Sequence, residues 1–109
     1  MTITHKVLGQ LNPAATTATT LYTAPSLTSA VVSSLTICNQ AAAVGTFRIA
    51  VRPAGATLSA VHYVAYDTAI PALDSITLSI GMTLATTDVV TVYASSATMS
   101  FSLFGSEIS

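Results

Sequence analysis

Hydrophobic and polar positions alternate with a period of two along most of the chain. Phe47, Ile49 and Val51 interleave with Arg48, Ala50 and Arg52, the pattern of a half-buried strand with an inner and an outer face. Met99, Phe101 and Leu103 alternate in the same way with Ser100, Ser102 and Phe104, as do Ile76, Leu78, Ile80, Met82 and Leu84 with Thr77, Ser79, Gly81 and Thr83. From Ser29 to Asn39 the alternation places Val31, Ser33, Leu35 and Ile37 on one face, and Val32, Ser34, Thr36 and Cys38 on the other. β-Branched residues dominate these runs and suit a pleated surface. The one helix-friendly stretch, Ala41-Ala42-Ala43, leads straight into a turn at Val44-Gly45-Thr46.

Turn residues separate the runs at short intervals: Asn12-Pro13, Ala24-Pro25-Ser26, Gly45, Pro53-Ala54-Gly55, Pro71 through Asp74, Thr87-Asp88 and Ser95-Ser96. Proline fixes φ, glycine permits positive φ, and Asp or Ser bonds the local backbone. The spacing predicts about eight strands, at residues 3–10, 17–24, 29–39, 46–53, 60–68, 74–84, 88–95 and 98–108. Short strands at this spacing without helices specify an all-β chain, a single antiparallel β-sandwich or jelly-roll-like domain. Residues 17–109 form the sandwich in this reading. Residues 1–16 are either its first strand or an N-terminal arm that pairs with a neighbouring subunit, the Thr/Ala-rich stretch Ala14 to Thr20 suiting an extended segment.

Composition changes the picture at the surface. Lys6, Arg48, Arg52, Asp67, Asp74, Asp88 and Glu107 are the only charged residues, 6% of the chain against roughly 25% in an average soluble domain. Thr (18), Ser (13) and Ala (18) together supply 49 of 109 positions. A net charge of -1 gives no footprint for nucleic acid or for an anionic membrane. A chain that is 51% hydrophobic is not disordered, because disordered chains are poor in apolar residues and rich in charge. Hydroxyls must therefore wet this surface, with almost no electrostatic repulsion between copies. Such a surface suits a subunit packed against neighbours. No basic stretch leads into an apolar core at the N-terminus, so no secretory signal is expected. No run approaches the length of a membrane helix. Cys38 is the single cysteine, which leaves no intrachain disulfide and reads as a small buried hydrophobe.

No catalytic set emerges. The histidines are His5 and His62, and the odd spacing of His62 and Asp67 on one strand puts them on opposite faces, unsuited to a triad. Asp74 and Asp88 stand in turns, where a carboxylate accepts local backbone N–H groups more naturally than it serves paired-carboxylate hydrolysis. Two distant histidines and one cysteine match no zinc spacing, no acidic cluster resembles a calcium loop, and the five glycines are scattered singly. No metal, cofactor or small-molecule substrate is expected. Arg48 and Arg52 share the outer face of one strand and are candidate interface residues, guanidinium groups being favoured at interfaces; the plainer reading is two solvated residues that discourage edge pairing. Tyr63, Tyr66 and Tyr93 would form a sugar-stacking platform if coplanar and exposed, or else sit as amphipathic residues at the core edge.

Several strings together resemble a group of small bacteriophage virion structural proteins. They are Val7-Leu8-Gly9-Gln10, Thr20-Leu21-Tyr22-Thr23, Ile37-Cys38-Asn39, Thr46 through Gly55, His62-Tyr63, Ala65-Tyr66-Asp67, Ile70-Pro71-Ala72, Asp88 through Ser95, and Phe101 through Gly105. They cover most of the chain from Val7 onward; Ala24 to Thr28 departs from the group, which often has a Pro-Ala-Gly turn there. The resemblance implies a non-enzymatic virion component. Its leading form is a head decoration, or cement, protein on the head surface, forming homo-oligomers with trimers favoured and contacting the major capsid protein or other virion proteins. The alternatives are a tail, baseplate or fibre component and, in another class, a host-carbohydrate-binding module.

Overall fold

The computed structural model describes residues 1–79 and 81–109. Its strands are β1 (Ile3–Leu11), β2 (Thr19–Thr23), β3 (Ser29–Asn39), β4 (Gly45–Arg52), β5 (Tyr63–Ile70), β6 (Ser75–Leu78), β7 (Thr83–Leu84), β8 (Val89–Ala94) and β9 (Met99–Ile108). Every pairing is antiparallel: β1 with β9, β2 with β8, β3 with β6 and β7, and β4 with β5. The second half of the chain thus lies back along the first, as one long hairpin. Wrapping that hairpin brings β9 onto β3 and β8 onto β4 as well. Two sheets result, a first of order β1-β9-β3-β6 with β7 also on β3, and a second of order β2-β8-β4-β5. This is a jelly-roll sandwich. Among the described residues no helix is long and apolar enough to cross a membrane.

The core lies between the sheets and comes from the inward positions of the alternating runs. Leu35, Ile37, Phe101 and Leu103 of the first sheet face Phe47, Ile49, Val90 and Val92 of the second, all fully buried. Phe47 and Phe101 meet edge to face across the gap, with ring centroids 6.4 Å apart. Each such side chain contributes about 1.5–3 kcal/mol by leaving water, which lets a chain without disulfides hold two sheets together.

Two expectations from the alternation need correction. The strand expected at 74–84 is two strands: β6 ends at Leu78 and β7 begins at Thr83. Gly81 between them has φ +67, outside the extended region, so the pairing with β3 lapses there. The inward set persists on both sides, with Ile76 and Leu78 packed on the core and Met82 and Leu84 buried; Ile80 lies outside the described residues. In β3 the register against β9 shifts between Val32 and Ser34, so Ser33 is an extra, bulged residue. The bulge reverses the phase of everything before it. Val31, expected inward with Leu35 and Ile37, is 41% exposed, whereas Val32 is buried. Cys38, expected buried, is half-buried on the outer side of the first sheet, opposite Ser75 and Ser100.

The register of β1 also slips, between Val7 and Gly9, so the bulges in β1 and β3 flank the same β9 residue, Phe104. Gly105 beside it allows the close approach of the β3 backbone: a side chain there would collide with the Val31 carbonyl. Residues 1–16 contribute β1, the edge strand of the first sheet, and the following turn is fixed by the Thr16 N–H donating to the Ala94 carbonyl at 2.8 Å.

Candidate functional site

The side chains with the most chemistry gather on the outer face of the second sheet, around Arg48. Alternation along β4 turns Phe47 and Ile49 inward and Arg48 outward. Its neighbour on β8 is Tyr93, directly opposite in register. On its other side β5 is irregular. Phe47 pairs with Thr68 and Ile49 with Ala65, leaving Tyr66 and Asp67 against Arg48 alone; the step from Ala65 to Tyr63 slips again, with Val64 extra. Asp67 takes φ +48 at the first of these bulges.

The irregularity decides the geometry. Tyr63 and Tyr66 are three residues apart and would face opposite ways on a regular strand, yet here their rings meet at 4.9 Å and 85°. The Arg48 guanidinium lies 4.1 Å from the Tyr66 ring centroid and 4.2 Å from that of Tyr93. Its Nε donates to Asp67 Oδ1 at 2.6 Å and its Nη2 to Oδ2 at 3.2 Å, a two-pronged grip specific to guanidinium. This hydrogen bonding holds Asp67 below the ordinary carboxylate range and keeps Arg48 protonated beyond its usual range.

Beside the cluster, Leu58, Ser59, Ala60, Tyr63 and Tyr66 line a cleft of about 690 Å³. One wall is a 3-10 turn at Ala60–His62, so the strand expected at 60–68 starts only at Tyr63. His62 Nδ1 accepts the Ser59 N–H at 3.1 Å, and the His62 N–H donates to the Ser59 carbonyl at the same distance. His62 is therefore turned to its own turn and not to Asp67. The three tyrosines are not coplanar, so the flat platform open to them does not form: Tyr63 stands perpendicular to Tyr66 and a guanidinium separates Tyr66 from Tyr93. What forms is a two-walled cleft. The preceding turn, Pro53–Gly55, packs on the same face, where the Ala54 N–H donates to Asp88 Oδ1 and Gly55 lies against Val89.

The remaining candidates are dispersed. Arg52 shares the Arg48 face but donates from Nη1 to the Ala56 carbonyl at 3.3 Å, and its Nε is buried without a partner, as is Thr91 Oγ1. His5 Nδ1 lies 2.6 Å from Ser106 Oγ on the first sheet, far in the fold from His62. Asp74 accepts the Ser75 N–H, and Asp88 accepts the N–H groups of Ala54 and Ala85, the turn roles expected of them. Glu107 joins the sheets, accepting from Tyr22 at 2.6 Å and from Lys6 at 3.1 Å. Among the described residues no three His, Cys, Asp or Glu side chains come together as a metal site would require. Sequence reasoning did not find Asp67 as the partner of Arg48. The available cue was an aspartate inside a strand, where it is disfavoured, and aspartate tolerates positive φ better than most residues. Comparison with protein-family models, curated proteins and solved structures returns no match for this chain.

Proposed function

We propose that the chain is a non-enzymatic structural subunit of a bacteriophage particle, a head decoration protein that forms homo-oligomers, trimers in the favoured form, on the assembled shell. The observation that carries this reading is the fate of the charges. Lys6 and Glu107 pair with each other, as do Arg48 and Asp67, while Arg52, Asp74 and Asp88 bond the backbone of the same chain. Every charged side chain is engaged within its own molecule. The outward surface is left mainly to hydroxyls, alanines and exposed apolar side chains, Ile3, Val7 and Val31 of the first sheet among them, groups that cost less to bury against a neighbour than charges do. The resemblance of the sequence to small virion proteins supports the same reading.

Stabilisation follows from mass action: a subunit that binds the assembled shell and not its dissociated parts shifts the equilibrium toward the shell. The major capsid protein is the partner. The free edge of β1 offers unpaired backbone groups through which a neighbour adds a strand without charged contacts. Cryo-electron microscopy of intact particles tests this by location and copy number. Sandwich-shaped density on the head lattice is the expected result; density confined to the tail, baseplate or fibres overturns the decoration role.

A further inference from the structure

The cleft beside Arg48 holds an arrangement that the sandwich does not need for its own packing. Tyr66 is 57% exposed, yet its ring is fixed in place. The Arg48 guanidinium lies on it at 4.1 Å, Tyr93 lies on that guanidinium at 4.2 Å, and Asp67 grips the same group from the side. Asp67 reaches that position through a bulge and a positive φ, a conformation that non-glycine residues adopt at a cost and that concentrates at binding sites. Tyr63 then forms a second aromatic wall perpendicular to the first.

The chemistry of the cleft is neutral, flat-walled and hydroxylated. Arg48 and Asp67 cancel each other, and the lining residues Leu58, Ser59, Ala60, Tyr63 and Tyr66 carry no charge. A charged ligand would find no counter-ion there. Its volume, about 690 Å³, lies within the range of small-ligand clefts, roughly 300–1,000 Å³. A protein partner would need about 800 Å² of surface on each side, far more than five residues offer. The Ser59 hydroxyl lines the cleft and can both donate and accept a hydrogen bond.

We propose that this cleft binds a neutral sugar ring of a surface glycan, one C–H face of the ring stacking on a tyrosine wall and its hydroxyls bonding Ser59 and the tyrosine hydroxyls. Tyrosine suits this task because it joins a large apolar face to a polar tip. The site is independent of the particle role, since it rests on the cleft and not on the surface charge.

The test uses the full chain on an array carrying neutral hexose and N-acetylhexosamine glycans beside sialylated and sulfated ones. It is followed by titration of the best neutral glycan, with the tyrosine ring signals read by NMR. Wild-type protein is expected to retain neutral glycans and to shift the Tyr63 and Tyr66 ring signals. Tyr66→Ala should weaken binding about tenfold, and Tyr66→Phe, which keeps the ring, by no more than about threefold. Circular dichroism of the variants guards against misfolding, and the ring shifts of the unaltered protein stand without any variant. A blank array, a preference for acidic glycans, or binding undiminished in Tyr66→Ala overturns the proposal. So does a change of oligomeric state in Tyr66→Ala without glycan binding, which would make the cleft a contact between copies.

Discussion

Asn39 is the clearest case of one side chain organising several segments. It is 1% exposed at the end of β3. Its Nδ2 lies 2.9 Å from the Ala43 carbonyl, 3.2 Å from that of Pro71 and 3.3 Å from that of Ile70, while its Oδ1 accepts the Ala41 N–H at 3.1 Å. The turn after β3 and the exit from β5 are thereby tied to one amide. Asn39→Leu would leave those buried or half-buried backbone groups without partners, at an expected loss of about 2–4 kcal/mol. Urea unfolding measures it through a lower midpoint at unchanged slope. Asn39→Asp should be at least as damaging, because it sets a carboxylate against three carbonyl oxygens.

At the scale of the element, the bulges decide which side chains reach the core. Those in β1 and β3 flank Phe104, and Gly105 is the residue that lets β3 come close at that point. Gly105→Ala should destabilise the sandwich by about 2 kcal/mol, the middle of the range for overpacking a filled site. Thr4→Ala, at an exposed position on the edge strand β1, serves as a near-neutral control in the same unfolding measurement. The bulges of β5 act on the cleft in the same way, turning Tyr63, Tyr66 and Asp67 onto one face with Arg48.

For the whole molecule, Glu107 links the two sheets and carries a pH dependence. The Tyr22 hydrogen bond, and after it the Lys6 contact, hold its carboxyl below the ordinary glutamate range. Burial and the same carboxylate push the Tyr22 hydroxyl up. The Lys6 side chain is 43% exposed and that of Glu107 17%, so solvent screens the ion pair and the tyrosine bond matters more. A carboxyl depressed in the folded state contributes stability that is fully present above its unfolded value. That stability is lost as the pH falls through the folded value. Stability should therefore decline as acidification takes the pH into and below the ordinary glutamate range. The decline should be shallower in Glu107→Gln and in Tyr22→Phe, as read from urea midpoints across that range. A profile unchanged in both variants would remove Glu107 from the account.

Alternation and turn residues made the all-β class, most strand positions and the Phe47-Ile49-Val51 and Met99-Phe101-Leu103 core rows legible in the chain, because burial on one face of a strand imposes a period of two. Charge content made the hydroxyl-wetted surface legible as well. Only the tertiary structure decided that Val32 and not Val31 faces inward, that the strand expected at 74–84 is interrupted, and that Asp67 meets Arg48 between two tyrosines. A bulge adds one residue to one strand, and its position is set by the register against a partner far away in sequence. No local pattern records that partner.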